Sequence, residues 1–306
     1  TGSSVQLITG GYVDDADDLL VGVRGFDLVV GRDYSSSGGW RLTGIDDDLV
    51  VNLDAEGSGN LVYRGTSFDQ LDEDGQLFES NDEQLERLAD GTFRYRVPKG
   101  GTRLFDADGL LVSATSLTGA TVEVVREAAD GSGKFAGWRD ASGQQVVTFE
   151  WDGNRVSAAQ TWDGRRVEYA WDGADLVEVS GPEGLTVYEY DNKGRLTHKI
   201  APNGTERHID WSDTGVVASV LDGDGVGAYF SYGYNSGTKQ YYSATVFTDG
   251  TLHERWYGDT GEVVAESIDG NEKLELELPG SSVSNLDGYI SASIDRVGVP
   301  IDKWAW

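Results

Sequence analysis

Two markers recur through the middle of the chain at a spacing of about twenty residues. An aromatic residue stands just before a turn, with steps of 19 to 24 residues, at Trp151, Trp171, Tyr190, Trp211, Tyr232 and Trp256. A glycine opens the accompanying strands, with steps of 20 to 25 residues, at Gly143, Gly164, Gly184, Gly204, Gly225 and Gly250. Two independent markers with one period indicate an internal repeat, and a repeat of this length is a supersecondary unit that stacks on its neighbours.

One unit of this repeat reads as two short strands and two turns. In residues 188–204, YEYDNKGRLTHKIAPNG, Asp191 can bond its own backbone two residues on, and Gly194 supplies the positive φ of that turn. Pro202 stands in the second turn, where a missing amide hydrogen is tolerated. The unit therefore predicts a β-hairpin, and successive units predict one continuous antiparallel ribbon with strands of about six residues.

Alternation along each strand places the aromatic residues on one face of this ribbon. Tyr188 and Tyr190 share a face and Glu189 takes the other, and the runs at 149–151 and 169–171 repeat the arrangement. Aromatic pairs on neighbouring strands stabilise sheets. We therefore expect this face to form the core, with the aromatic residues packed rather than exposed to a ligand.

Helical periodicity is scarce. Residues 80–91, SNDEQLERLADG, are the one stretch whose pattern could hold a short helix. Elsewhere apolar and polar residues alternate over five to seven positions and then meet Gly or Asp-Gly, which is the signal of strands and hairpins. The predicted fold class is all-β, made of consecutive antiparallel hairpins that form a spiralling sheet.

The repeat fades towards both ends of the chain. It is absent before residue 69, where residues 25–51 predict short strands around a Ser/Gly loop and Trp40. After residue 274, the run LDGYISASIDRVGVPIDKWAW predicts further strands. They could pair with a neighbouring edge, with Trp304 and Trp306 as anchors in a pocket, or fold back as ordinary last strands of this chain. The predicted organisation is N-terminal lead-in strands at 1–68, a repeat sheet at 69–274 with its best repeats at 143–264, and C-terminal strands at 275–306.

Composition excludes several partners and chemistries. The 306 residues include 24 Lys and Arg against 53 Asp and Glu, a net charge of −29. Such a surface repels phosphates and anionic lipids, so we predict neither a nucleic-acid partner nor membrane insertion. The absence of Cys excludes disulfides and Cys-ligated zinc. Met is absent too, as expected of a piece of a longer product.

The candidate site residues each have a plainer interpretation. His198, His208 and His253 lack metal-ligand spacing and are interpreted as strand residues. The runs at 72–75, 106–109 and 222–225 suggest calcium loops, but none completes the EF-hand pattern, and Asp-Gly is ordinary hairpin chemistry.

The chemistry of an enzyme is equally hard to locate. Asn203-Gly204-Thr205 is a glycosylation sequon within a repeat turn. Neither a Gly-x-Ser-x-Gly nucleophile motif nor a phosphate-binding loop is present. The sequence therefore predicts no enzyme, no catalytic, cofactor-binding or metal residues, and no cofactor.

At this point the residues resemble a known family. The run YEYDNKGRL…PNG looks like the YD repeat of Rhs proteins, which is related to the tyrosine–aspartate shells of teneurins and of insecticidal toxin-complex subunits. The likeness extends over roughly 101–264. The segment FDLVVGRDYSSSGGWRL is similar to the lead-in that precedes Rhs repeats, through the residues Arg32, Tyr34, Ser35, Gly39 and Trp40.

The resemblance implies a long antiparallel sheet that spirals into a hollow shell. Bacterial members often enclose a toxic C-terminal domain, and many cleave themselves beside a C-terminal motif containing Asp-Pro and Gly-Leu. That motif is not found here, and the run Val299 to Asp302 does not replace it. The chain is also shorter than the family's closed shells, which predicts a turn or two of spiral with open edges.

Two functions remain open from these observations. The first is a non-enzymatic scaffold, a shell segment of an Rhs-like secreted or delivered protein whose partner is the rest of a longer chain or its C-terminal domain. The second is an extracellular binding or self-assembling module for adhesion, filament formation or glycan binding. Exposed strand edges pair readily with other chains, so a homo-oligomer formed through open β edges is a further expectation. Both functions imply a secreted or cell-surface location.

Overall fold

The structure is a computed structural model that describes residues 3–23, 25–44, 48–54, 58–64, 66–70, 76–80, 83–96, 100–127, 133–258, 261–269 and 272–275. These residues form 27 β-strands and no helix. Strands that follow one another in the chain pair antiparallel within each sheet. The prediction of an all-β fold is confirmed.

The first four strands form a sheet of their own, in the order β1–β2–β3–β4. They are β1 (Ser3–Gln6), β2 (Gly11–Val23), β3 (Phe26–Ser35) and β4 (Gly39–Thr43). Strands β2 and β3 form a long hairpin whose register runs from Val13 opposite Ser35 to Val23 opposite Phe26, with one irregularity after Asp17. This sheet carries the lead-in residues identified in the sequence.

The remaining strands form a second sheet in chain order. Its first part is β5 (Val50–Leu53), β6 (Gly59–Tyr63), β7 (Thr66–Gln70), β8 (Leu77–Ser80), β9 (Glu83–Arg87), β10 (Phe93–Arg96), β11 (Thr102–Phe105), β12 (Leu111–Thr115), β13 (Thr121–Arg126) and β14 (Phe135–Asp140). The repeat region adds β15 (Gln145–Asp152), β16 (Arg155–Thr161), β17 (Arg166–Asp172), β18 (Asp175–Gly181), β19 (Gly184–Tyr190), β20 (Leu196–Ile200), β21 (Glu206–Trp211) and β22 (Val217–Asp222). The last strands are β23 (Gly227–Asn235), β24 (Gln240–Phe247), β25 (Leu252–Tyr257), β26 (Val263–Ile268) and β27 (Glu272–Glu275).

The two ends of this second sheet are neighbours. Its strand order is that of a closed barrel in which β27 lies beside β5. The prediction of open edges is therefore wrong for the barrel in the described part of the chain. The physical reason is curvature, because a twisted sheet with regular bulges coils until its first and last strands meet. Closure of this kind removes the exposed edges through which we expected the chain to self-associate.

A five-residue turn joins many of the hairpins. In the turn that starts at Asp191, the Gly194 amide donates to the Asp191 carbonyl at 3.0 Å, and the Asp191 amide donates to the Arg195 carbonyl at 3.0 Å. Gly194 has a φ of 73°. This is a type I turn followed by a left-handed residue, one of the common hairpin connections. The same pair of backbone bonds recurs at the turns that begin at Asp106, Ser116, Asp140, Thr161, Ala201, Ser212, Asp222 and Phe247.

Four of the six marker aromatics lie at β-bulges. The register between paired strands shifts just before the marker at Trp151, Trp171, Tyr190 and Trp211. In each case the following strand carries one extra residue. A bulge bends its strand and increases the local twist, so one bulge per unit curves the sheet by a similar amount at each repeat.

The buried face of the barrel and the four-stranded sheet share one hydrophobic cluster, which extends along the chain from Tyr12 to Val217. On this face Tyr188 is 2% exposed and Tyr190 packs against the cluster, whereas Glu189 is exposed. The runs at 149–151 and 169–171 show the same alternation. The predicted core face is confirmed, and a second, smaller cluster surrounds Tyr242 and Trp256.

Residues 80–91 contain no helix where the structure describes them. Residues 83–87 form β9, which pairs with β8 and β10. Leu85 points into the core and is fully buried, while its neighbour Gln84 is exposed. The helix-compatible pattern was overridden because pairing on both sides satisfies the backbone and alternation buries the one large apolar residue.

Candidate functional site

The lead-in residues form a joint between the four-stranded sheet and the repeat strands. We define this joint as Asp14, Asp18, Arg32, Tyr34 and Trp40 on the sheet with the repeat-strand residues Tyr169, Tyr188, Tyr190, Leu196 and Lys199. Strand β2 supplies the two acids, and β3 and β4 supply the other sheet residues. The repeat-strand partners belong to β17, β19 and β20.

Arg32 is the central charge of the joint. Its side chain forms an ion pair with Asp18, and both side chains are at most 6% exposed. The Arg32 Nε donates to the Tyr188 hydroxyl at 2.9 Å, and the Tyr169 hydroxyl donates to Asp18 at 2.9 Å. A buried ion pair needs such additional hydrogen bonds to offset its desolvation. Hydrogen bonds to this ion pair therefore fix the position of one sheet on the other, in addition to hydrophobic packing.

Aromatic side chains continue the joint beside this ion pair. The rings of Tyr34 and Trp40 lie 5.2 Å apart, and those of Trp40 and Tyr188 lie 4.7 Å apart. The indole of Trp40 donates to the Tyr190 hydroxyl at 2.6 Å, and the backbone amide of Leu196 donates to the Tyr34 hydroxyl at 3.0 Å. The lead-in thus contacts the same aromatic pair that marks the repeat.

A second ion pair lies next to the first. The Lys199 ammonium donates to both oxygens of Asp14 at 2.7 and 2.8 Å. Asp14 is 1% exposed, and Lys199 lies on the face of β20 opposite His198. Acidic residues of β2 therefore meet basic partners from β3 and from β20.

Burial keeps the phenols of the joint in their neutral form. Desolvation raises the pKa of Tyr188 to about 12, partly opposed by the nearby Arg32. Burial also raises the pKa of Tyr169 and of Tyr190 well above the usual value for tyrosine. These hydroxyls therefore remain protonated at ordinary pH, and Tyr169 and Tyr190 act as hydrogen-bond donors.

Four of the six marker aromatics also donate to the main chain of an earlier strand. The indole nitrogens of Trp151, Trp171 and Trp211 donate to carbonyls 15 or 16 residues earlier, at 2.7 to 2.9 Å. The Tyr190 hydroxyl makes the equivalent bond to the Leu176 carbonyl. Cations from the preceding unit lie over two of the rings, with Arg155 above Trp171 and Arg195 above Trp211. The aromatic of the repeat therefore fastens its own unit to the preceding one.

The Asp residues of the repeat stabilise turns. The Asp191 carboxylate accepts hydrogen bonds from the amides of Lys193 and Arg195, as the sequence predicts. In the runs suggestive of calcium loops, Asp106 and Asp222 bind their own turn amides in the same way. The third such run, at 72–75, lies outside the described residues. Trp304 and Trp306 in the C-terminal segment lie outside them too.

The structure brings two of the three histidines together. His198 on β20 lies directly opposite His208 on β21, and their rings are stacked with centroids 4.2 Å apart. The carboxylate of Glu206 lies 3.4 Å from the Nε2 atom of each histidine. Sequence reasoning missed this cluster because the two histidines are ten residues apart. The available signal was their equal distance from Asn203, at the centre of the turn between them.

The third histidine and the sequon have separate positions. His253 on β25 packs edge-on against Phe247, at a ring separation of 5.1 Å. Asn203 is exposed at the tip of the β20–β21 hairpin, where its side chain accepts a hydrogen bond from the Thr205 amide. In the residues that the structure describes, no helix is long and apolar enough to cross a membrane.

Comparisons with known proteins agree with this reading of the repeat. Residues 171–206 match the family model described as RHS Repeat. No curated protein matches the chain. Among solved structures, the chain is similar to the TcdB2-TccC3 crystal structure, at 13% identity over 80% of this chain and 16% of that one, with a TM-score of 0.36.

Two further solved structures show weaker likeness. A Photorhabdus luminescens Tc holotoxin pore with a TccC3 mutation is 10% identical over 87% of this chain and 20% of that one, with a TM-score of 0.25. A mutant of the TCP10 domain of Danio rerio CPAP is 14% identical over 69% of this chain and 99% of that one, with a TM-score of 0.16. The chain thus spans less than a fifth of the length of the TcdB2-TccC3 chain.

The antiparallel pairing, the repeated turns and the bulged aromatics define a coiled all-β repeat protein. The match at residues 171–206 confirms the resemblance found in the sequence, because this segment carries an RHS repeat.

Proposed function

We propose that the chain is a non-enzymatic scaffold, a shell segment of a longer Rhs-like protein that is secreted or delivered to a cell surface. Its partner in this proposal is the remainder of that longer chain, including a C-terminal domain held by the shell. The strongly acidic surface suits a protein that must stay soluble outside its cell of origin.

The observation that best supports a scaffold is the role of the marker aromatics. Each of Trp151, Trp171, Tyr190 and Trp211 is half-buried and donates a hydrogen bond to the main chain of an earlier strand. Aromatic side chains can bind ligands, but these four are hydrogen-bonded within the sheet. The same contact therefore joins successive repeat units into a continuous sheet.

The joint gives this scaffold a second supporting feature. The lead-in sheet lies on the buried face of the repeat strands. It is held there by the Lys199–Asp14 ion pair, by the hydrogen bonds that join the Arg32–Asp18 pair to Tyr188 and Tyr169, and by the contact of Trp40 with Tyr188. Such a packed lining makes the region around β17–β20 a rigid double layer. A rigid wall is the property that a shell requires, whereas binding loops are usually found among less constrained segments.

The test is made on the natural gene product. We would isolate it from its source, measure its intact mass against the open reading frame, and digest it with increasing protease. A product longer than 306 residues, with a protease-resistant core that contains residues 133–258 and a further domain protected only while that core is intact, supports the shell. A product that terminates near Trp306, or a following domain that is cleaved as fast as the free domain, contradicts it.

One exposed aromatic pair favours the second candidate, an extracellular binding module. Tyr234 and Tyr241 on the β23–β24 hairpin are 44% and 41% exposed, with ring centroids 4.7 Å apart. Exposed aromatic rings can stack on sugar rings or anchor in a partner's pocket. Binding to a glycan array that is lost in Tyr234→Ala but kept in Trp162→Ala, another exposed aromatic, would favour this function over the shell.

A further inference from the structure

The β20–β21 hairpin carries three potential metal ligands on one face. Their donor atoms, one each from His198, Glu206 and His208, all lie within 4.8 Å of one another. The two histidines are cross-strand partners, and Glu206 precedes His208 by two residues, which returns it to the same face of β21. The backbone pairing of the hairpin therefore fixes which side chains meet.

Two of the three distances between these donors match those around a tetrahedral cation. The Glu206 oxygen lies 3.4 Å from the Nε2 of His198 and 3.4 Å from the Nε2 of His208. Zinc binds histidine nitrogen and carboxylate oxygen at about 2.0 to 2.2 Å, so two of its tetrahedral ligands lie about 3.4 Å apart. Both Glu206–histidine distances thus already suit one shared ion.

His198 has a nitrogen that the protein leaves without a hydrogen bond. Its Nε2 atom is buried and makes no hydrogen bond, although the Glu206 carboxylate lies nearby. Buried polar atoms in this state are uncommon and point to an absent ion or water. The side chain as a whole is 16% exposed, whereas those of Glu206 and His208 are 43% and 46% exposed, so a cation can enter from solvent.

A fourth residue can orient the first ligand. Glu189 on β19 is the cross-strand partner of His198, and its carboxylate lies 3.3 Å from the His198 Nδ1. A hydrogen bond from Nδ1 to this carboxylate leaves the lone pair of Nε2 free for a metal. Histidine ligands in metal sites are commonly held by such a carboxylate, which also raises their basicity.

The stacked rings of His198 and His208 must turn away from parallel before both can bind one metal ion. Parallel rings, here within 11° of each other, direct their nitrogen lone pairs alongside one another rather than towards one point. His208 is nearly half exposed, so rotation of its side chain can aim Nε2 at the ion without disturbing the core. Solvent supplies the fourth ligand in this arrangement, as is common when a protein offers three.

We propose that His198, Glu206 and His208 bind one divalent transition-metal cation of the zinc class, with Glu189 as the residue that positions His198. Two imidazoles and one carboxylate suit Zn²⁺ better than Mg²⁺ or Ca²⁺, which prefer oxygen ligands alone. The ion would link β20 to β21 on the face away from the joint. A ligand that binds only the folded chain also raises its resistance to unfolding.

The experiment uses the whole 306-residue chain after treatment with a chelator. Zn²⁺ is titrated by calorimetry in an excess of Mg²⁺, which occupies non-specific carboxylate sites on this acidic surface. Co²⁺ is then substituted, because its visible spectrum distinguishes tetrahedral from octahedral coordination. We expect one saturable Zn²⁺ site and a tetrahedral Co²⁺ spectrum.

Variants identify the ligands. His198→Gln and His208→Gln should each abolish the saturable site, and Glu189→Gln should weaken it by about 10- to 100-fold, the usual effect of losing an orienting partner. His253→Gln is the matched control, since it removes the third histidine from a different hairpin and should leave binding unchanged. Circular dichroism establishes that each variant is folded.

Three results would overturn the proposal. They are the absence of saturable Zn²⁺ binding in excess Mg²⁺, unchanged binding in His208→Gln, and equal loss in His253→Gln. Should His198→Gln fail to fold, the half-exposed His208 decides the question alone. A site that binds Zn²⁺ but gives an octahedral Co²⁺ spectrum with no dependence on His208 indicates surface carboxylates instead.

Discussion

Replacement of Trp171 by Ala tests whether the marker aromatics hold the sheet together. Trp171 is half-buried against the main hydrophobic cluster, its indole donates to the Val156 carbonyl at 2.9 Å, and the Arg155 guanidinium lies 4.7 Å from its ring. All three contacts disappear in the variant. The unit would then keep its backbone pairing and its other buried side chains, among them Val167 and Tyr169, but lose the contacts of its marker aromatic.

The magnitude follows from these contacts. A tryptophan that buries about 150 Å², near the low end for aromatic residues, contributes about 4 kcal/mol at 25 cal/mol per Å², of which the alanine methyl retains a part. The hydrogen bond adds about 1 kcal/mol and the cation–π contact about 0.5 kcal/mol. We therefore expect Trp171→Ala to lower the free energy of unfolding by about 3 to 5 kcal/mol, the range measured for large buried aromatics.

Urea unfolding followed by far-ultraviolet circular dichroism measures this change. Trp162→Ala is the matched control, because Trp162 is in the neighbouring turn but 57% exposed, and we expect a change within about 0.5 kcal/mol. Trp171→Phe keeps most of the packing and removes the indole donor, so it should fall between the two. If Trp171→Ala and Trp162→Ala unfold at the same urea concentration, the marker aromatics do not fasten the units.

Three further predictions concern the joint and the turns. Arg32→Ala leaves a buried acid unpaired and should cost about 3 to 5 kcal/mol in chemical unfolding, whereas Arg41→Ala, in an exposed pair, should cost about 0 to 1 kcal/mol; equal effects would contradict the joint. Gly164→Ala, at a φ of 91° with open space around it, should cost about 1 to 2 kcal/mol by backbone strain alone, and Gly38→Ala, equally open but without a positive φ, should shift the melting temperature far less. Burial raises the pKa of Tyr188 from about 10 to about 12, so the stability that its neutral form contributes is complete below pH 10 and is lost as the pH rises towards 12, by about 3 kcal/mol in total. Tyr188→Phe should therefore reduce the dependence of the unfolding free energy on pH between 10 and 12. An unchanged dependence would refute the assignment.

Local chemistry explains how much of the fold could be predicted. The turn at Asp191 needs a side chain that accepts a hydrogen bond from the amide two residues later, and a residue that tolerates a positive φ. Asp191 and Gly194 meet these two requirements, and both can be recognised in the sequence. Alternation then decides which side chains are buried. The strands, the turns and the core face can therefore be predicted from the sequence.

The failures have a common cause in long-range pairing. Residues 83–87 have a pattern compatible with a helix, but strands on both sides offered pairing that an isolated segment cannot show. The bulges at the marker aromatics bend the sheet, and only the sum of many bends decides whether its ends meet. Closure is a property of the whole barrel, so the predicted open edges could not be corrected from any one unit.

The joint and the histidine pair could likewise be predicted only in part from the sequence. The residues Arg32, Tyr34 and Trp40 were recognisable as a lead-in, but their contacts with repeat residues more than 140 positions later follow from how the two sheets stack. His198 and His208 share a hairpin, so their pairing depended on a register that a one-residue slip would have reversed. The sequence by itself determined the repeating unit, because turn and strand preferences act over a few residues. Tertiary structure decided closure, the joint and the histidine pair, because each depends on the position of chain segments that have no local interaction.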